Sequence, residues 1–108
     1  MILVIGAKGA GKDEYVSRNY PGKNVLYSLH LLIKEKMSEG ADLDEFLSEI
    51  KRDYAGGVII CDEIGSGIVS TDRFENEWRE NTGRALADLA KESDEVIRIV
   101  CGIGQKIK

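Results

Sequence analysis

The stretch Met1-Ile2-Leu3-Val4-Ile5-Gly6-Ala7-Lys8-Gly9-Ala10-Gly11-Lys12-Asp13 decides the fold. Met1–Ile5 is an aliphatic run without alternation, which predicts a strand buried on both faces, as in a parallel sheet. Gly6–Asp13 fits G-x-x-x-x-G-K and stands where that pattern's mechanism needs it, after a buried first strand and before a helical stretch. Glycines let the backbone curl until successive N–H groups face one concavity. The helix N-terminus adds positive potential, and a lysine at the position of Lys12 reaches terminal phosphates. Gly6, Ala7, Lys8, Gly9, Ala10, Gly11, Lys12 and Asp13 are therefore the expected nucleotide-binding residues, with ATP or GTP as ligand. A glycine-rich turn that binds nothing is the competing reading.

The pattern departs at its last position, where a Ser or Thr hydroxyl ordinarily meets Mg2+ and this chain has Asp13, followed by Glu14. A carboxylate is a competent hard ligand for that ion. It also sets like charge beside a polyphosphate. At about 4 Å and an effective dielectric near 20, two like unit charges repel by roughly 4 kcal/mol unless a cation lies between them.

Outward from this loop, strands and helices alternate. Asp13–Asn19 reads as a short helix ended by Tyr20-Pro21-Gly22, and Asn24–Ser28 as a second strand. Leu29–Met37 and Asp42–Tyr54 carry apolar residues at helical spacing, the second opened by Asp42 or Asp44. Val58–Asp62 is a third strand and Gly65-Ser66-Gly67 a loop. Asp72–Ser93 is the longest helix, capped by Thr71 or Asp72, with Gly83 in its middle. A glycine there costs about 1 kcal/mol relative to Ala and suggests close approach of another backbone or a ligand. Glu95–Cys101 is a fourth strand, followed by Gly102-Ile103-Gly104 and a polar tail. This alternation predicts an α/β sheet, mostly parallel, with helices on both faces.

Composition narrows the class. At 108 residues, 43% hydrophobic and 31% charged, the chain has the size and apolar content of one domain, 1–108, and is not a disordered segment. Fifteen Lys and Arg against nineteen Asp and Glu give a net charge of −4, which argues against nucleic acid or an anionic membrane as partner. No stretch approaches the ~20 apolar residues of a spanning helix, and the opening has the wrong charge order for a signal peptide, so a cytoplasmic location is expected. Cys61 and Cys101 lie inside apolar runs and read as small buried hydrophobes.

Asp62-Glu63 ends the apolar run Val58-Ile59-Ile60-Cys61. Ligands of doubly wound sheets gather outside the carboxyl ends of strands. Asp62 and Glu63 would then share a crevice with Lys12 and, with Asp13, supply carboxylates for Mg2+; a solvated strand end is the alternative. Arg79 and Arg84 could neutralise phosphate charge. Each also sits four residues after a glutamate, Glu75 and Glu80, where a helix-surface ion pair forms. Trp78 reads as a core or interface anchor. His30 reads as a helix-start residue on a partly exposed face.

Several of these segments carry a family likeness. Cys61-Asp62-Glu63-Ile64-Gly65-Ser66-Gly67-Ile68-Val69 resembles the "(S/T)NEVGxGIVP" segment of the bifunctional adenosylcobinamide kinase / adenosylcobinamide-phosphate guanylyltransferase family. Trp78-Arg79-Glu80-Asn81-Thr82-Gly83-Arg84 resembles its "FRDxxGR" helix. Asp94-Glu95-Val96 with Val100–Lys108 is similar to its "ADEV…VSGIGxxIK" ending. With the phosphate loop, these matches fall in the family's order and reach both ends of the chain.

The resemblance implies a P-loop NTPase-like three-layer α/β sandwich with a mainly parallel sheet of about four strands. It implies phosphoryl transfer from a nucleoside triphosphate to a hydroxyl of a corrinoid or other small acceptor. Gly6, Gly11 and Lys12 would carry over as phosphate-binding positions, Glu63, Gly65 and Gly67 as the site rim, and Arg79 and Arg84 as basic residues of a helix facing the site. Lys12, Asp62, Glu63, Arg79 and Arg84 make up the expected catalytic set, and a homo-oligomer is expected because family members form oligomers.

The family's usual members are longer, and the difference falls between about Ser28 and Val58. That interval carries the guanylylated His, a further strand with an acidic end and much of the corrinoid-facing surface. His30 follows the second strand too closely to take that role. Leu86-Ala87 replaces the family's Asn-Gln after "GR", and Ser70 its Pro. Guanylyl transfer is accordingly expected to be lost. A non-catalytic regulatory or interaction protein that retains the fold is the alternative function.

Overall fold

The unalternating aliphatic runs lie at the centre of a five-stranded sheet. The computed structural model describes residues 1–64 and 70–108. In chain order its elements are β1 (Ile2–Gly6), α1 (Lys12–Asn19), β2 (Val25–Leu26), α2 (Leu29–Ser38), α3 (Leu43–Asp53), β3 (Val58–Asp62), α4 (Arg73–Glu92), β4 (Glu95–Val100) and β5 (Ile103–Lys106). The sheet order is β2-β3-β1-β4-β5, with the first four strands parallel and β5 antiparallel to β4. β1 sits in the middle, its Leu3 and Val4 sealed on opposite faces. Parallel strands need crossovers, and the crossover helices cover both faces.

Coverage of the two faces is unequal. On one side Leu3, Ile59, Cys61 and Val96 pack against Leu29 and Ile33 of α2, Leu47 and Ile50 of α3, and Ala85 and Leu89 of α4. On the other, Val4, Val58, Ile60, Ile97 and Ile99 meet Val16 of α1, with Tyr15 and Tyr20 beside it. Together these form the expected three-layer α/β sandwich. Asp42 caps α3, accepting from the amides of Asp44 and Glu45 at 3.0 and 3.2 Å. Asp72 caps α4 through the Glu75 amide at 3.2 Å.

Three expectations need correction. The polar tail contains a fifth strand: Cys101 and Gly102, at φ 51° and 76°, form a two-residue turn that folds β5 back on β4. A turn with both central φ positive matches the twist of a hairpin. That turn also exposes Cys101, which was expected to be buried; only Cys61 lies in the core. Gly83, expected to mark close approach of another backbone or a ligand, has no other backbone against it among the described residues, with nothing within 4 Å of a Cβ built there. Gly83→Ala should therefore stabilise the protein by about 1 kcal/mol, by lowering the entropy of the unfolded chain and raising helix propensity. Thermal melting of the variant should show a midpoint several degrees higher.

Candidate functional site

The phosphate-loop residues form a tight bend between β1 and α1. Gly11 precedes the helix at φ 93°, a left-handed conformation that a side chain would strain, and no side chain caps α1. The Ala10 amide donates to the Ala7 carbonyl at 3.1 Å, closing the bend. Lys12 is the first residue of α1 and is buried, at 7% exposure. Its Nζ donates to Ala7 O at 2.7 Å and lies 2.8 Å from Asp62 Oδ1. The lysine thus draws the loop and the carboxyl end of β3 together, as expected from the sheet's polarity.

A cavity of about 400 Å3 opens at this point. Lys8, Gly9, Gly11, Lys12, Asp13 and Glu14 line one side, and Ser28, His30, Leu31, Ile60 and Asp62 the other. Two helices begin at its wall, α1 and α2, and among the described residues no side chain caps either N-terminus. Helices α3 and α4 begin elsewhere, and both carry an aspartate cap. Uncapped first-turn amides leave N–H donors and the positive end of the helix dipole directed at whatever occupies the cavity.

Glu63 takes a different direction from Asp62. Its carboxylate receives Arg98 in a two-point pair, Nε to Oε1 at 2.9 Å and a terminal nitrogen to Oε2 at 3.2 Å. Since β1 lies between β3 and β4, this pair spans β1 at the loop's other flank. Arg98 lines a second cleft of about 300 Å3 there, with Ala7, Gly9, Ala10, Ile99, Val100 and Cys101 among its walls. Sequence reading missed Arg98, although a charge interrupting Val96-Ile97-Arg98-Ile99-Val100 was a signal that this strand position faces something polar.

The two α4 arginines do not line either cavity. Arg79 pairs with Glu75 at 3.2 Å and donates to the Ile64 carbonyl at 3.4 Å; its Nε is buried without a partner among the described residues. Arg84 pairs with Glu80 on an exposed surface. Gly65 and Gly67 lie outside the described residues. Trp78 packs against the core as expected, its indole N–H donating to His30 O at 2.7 Å.

His30 was expected on a partly exposed face and is instead buried, at 7%. Ser28, at φ 54°, turns the chain so that α2 begins under the end of β3. His30 Nδ1 accepts from the Asp62 amide at 3.2 Å, and Nε2 lies 3.3 Å from Asp62 Oδ2. Burial lowers its pKa below the ordinary imidazole value; Asp62 opposes that shift and Lys12 adds to it. Cys61, in the core beside it, has its thiol pushed up to about 12, chiefly by burial.

For Mg2+, the donor set is partial. Among the described residues no group of three or more His, Cys, Asp or Glu side chains is placed to cage a metal ion. Asp13 and Asp62 line one cavity, while Glu63 is engaged by Arg98. One or two carboxylates with water and phosphate oxygens is the set that magnesium commonly uses. Asp13 and Asp62 line the cavity where such a set would form, Asp62 after release from Lys12, while Glu63, held by Arg98, does not line it. No helix among the described residues is long and apolar enough to cross a membrane.

A family model described as "Cobinamide kinase / cobinamide phosphate guanyltransferase" matches residues 24–107. The bifunctional adenosylcobalamin biosynthesis protein CobU of Escherichia coli (strain K12) is 35% identical over 68 residues, covering 63% of this chain and 38% of that protein. Its counterpart in Salmonella typhimurium (strain LT2) is 36% identical over 67 residues, 62% of this chain and 37% of that protein. The chain thus aligns with less than two-fifths of the length of each curated relative. The family match begins after the phosphate loop, so loop and match are separate signs that agree with one another and with the mainly parallel α/β sheet. From these signs together, the chain belongs to the cobinamide kinase / cobinamide phosphate guanyltransferase family.

Proposed function

We propose that the chain binds a nucleoside triphosphate, ATP or GTP, at the Gly6–Asp13 loop and passes its terminal phosphoryl group to a hydroxyl of a corrinoid or other small acceptor. The observation that carries this reading is the cavity with two uncapped helix N-termini at its wall and Lys12 buried between them. Loop amides and Lys12 hold the phosphates, and Lys12 leaves Ala7 O to do so. Asp13 and Asp62 would hold Mg2+, which would supply positive charge against the phosphate oxygens. The cleft beside Ile99, Val100 and Cys101 offers the nucleoside a partly apolar wall. Arg79 and Arg84 take part only by leaving Glu75 and Glu80. Guanylyl transfer is lost in this reading, because His30 is tied to Asp62 and does not present a free nucleophile. The protein works in the cytoplasm as a single domain and as a homo-oligomer.

The second reading is a regulatory or interaction protein that keeps the fold without catalysis. It is favoured by Asp62 and Glu63 being already paired and by the carboxylate of Asp13 at the cavity. Calorimetric titration with ATP and GTP, with and without Mg2+, followed by a phosphoryl-transfer assay with cobinamide, separates the two. Binding and transfer support the kinase; no binding at millimolar nucleotide supports the interaction protein. Asp13→Ser tests the altered loop position. Removing an exposed like charge near the phosphates should tighten magnesium-free nucleotide binding by about fivefold to tenfold, the factor for roughly 1 kcal/mol of screened repulsion. The same titrations measure it.

A further inference from the structure

We infer that His30 is a positioning residue, holding the Asp62 carboxylate at a fixed angle to Lys12 and the cavity. This inference rests on the nucleotide-binding reading of the same site. His30 engages one residue at two points. Its Nδ1 accepts the Asp62 main-chain N–H at 3.2 Å, which places the ring proton on Nε2, and Nε2 lies 3.3 Å from Oδ2. The other carboxylate oxygen, Oδ1, is left for Lys12 at 2.8 Å.

The imidazole is itself held. Its ring lies 6.4 Å from the Trp78 ring, and its own carbonyl accepts the Trp78 indole N–H at 2.7 Å. With Nδ1 accepting the Asp62 amide and Nε2 beside Oδ2, what the ring contributes to Asp62 is orientation. When Lys12 turns to a phosphate, Asp62 loses its cation and would be free to rotate. With Oδ2 kept at His30, Oδ1 stays directed at the cavity, where a magnesium ion or an acceptor hydroxyl would meet it. No local sequence pattern announces this arrangement, because it depends on the left-handed Ser28 bringing α2 beneath β3.

The test compares His30→Ala, His30→Asn and His30→Gln with the natural chain. The asparagine retains an acceptor near the Nδ1 position, and the glutamine a donor near Nε2. Two readouts are taken: the gain in ATP affinity on adding Mg2+, and acetylation of Lys12 by acetic anhydride in the ligand-free protein, relative to the other lysines by mass spectrometry. In His30→Ala the magnesium gain should shrink about threefold to tenfold, the size of one ordinary hydrogen bond, and Lys12 acetylation should rise by a similar factor. His30→Gln should restore most of both.

An unchanged magnesium gain and unchanged Lys12 acetylation in His30→Ala overturn the inference. If the natural chain binds no nucleotide, the nucleotide reading fails by itself, and Lys12 acetylation alone decides whether His30 positions Asp62. If His30→Ala does not fold, His30→Asn against His30→Gln decides: equal behaviour in both readouts overturns it, and a difference in favour of glutamine supports it.

Discussion

Lys12→Ala should weaken ATP or GTP binding by about a hundredfold, the factor expected when a charge-assisted contact worth about 3 kcal/mol is removed. Lys12 is the buried cation of the loop, paired with Asp62, and in the proposed reading its ammonium leaves that partner for phosphate. The substitution has a second effect. Asp62 is mostly buried and the neutral His30 cannot balance it, so loss of the lysine leaves a carboxylate without its cation. That situation costs about 3 kcal/mol of stability. The double substitution Lys12→Ala with Asp62→Asn separates the effects, because the unpaired charge is then gone. Melting should return toward the natural value while calorimetry still shows nucleotide binding weakened by about a hundredfold. Binding at natural affinity by either variant would remove the loop from any account of function.

The second large effect concerns Gly6, where the loop leaves the sheet. A Cβ built on Gly6 comes 2.7 Å from the main-chain carbonyl of Ile99, its neighbour in β4. That oxygen belongs to a strand backbone held by its own ladder, so it cannot turn aside as a flexible side chain could. Gly6→Ala should cost about 3 kcal/mol, at the upper end for overpacking. In a domain of this size the melting midpoint falls by roughly 15 °C. Melting followed by circular dichroism checks it. Paired with Gly83→Ala, which should shift the midpoint the other way, it shows that environment, not residue type, sets the sign.

Much of the fold was legible where local signals are strong. Val58–Cys61 carries no polar residue to assign a solvent face, and all four residues are buried. Two helix starts were legible to within a residue or two, from Asp42 or Asp44 and from Thr71 or Asp72, and the structure uses Asp42 and Asp72, whose short side chains reach the amides that follow. The hairpin at Cys101-Gly102 was not legible, since its turn lacks the usual Asn-Gly or Asp-Gly pair. In the candidate site, the meeting of Lys12 with Asp62 followed from motif and sheet polarity. The burial of His30, the pairing of Glu63 with Arg98 and the surface pairing of Arg84 depend on which elements become neighbours. Local spacing does not encode that.

The hairpin turn touches the phosphate loop directly: the Gly102 amide donates to Ala10 O at 2.7 Å, and its Cα stands 3.3 Å from where Gly11 would carry a Cβ. Two segments distant along the chain therefore share one curvature. A lengthened hairpin would be inherited as a reshaped loop, and lineages that altered one would be pressed to adjust the other. Grafting the glycine-rich stretch alone onto another sheet would omit the part that braces it.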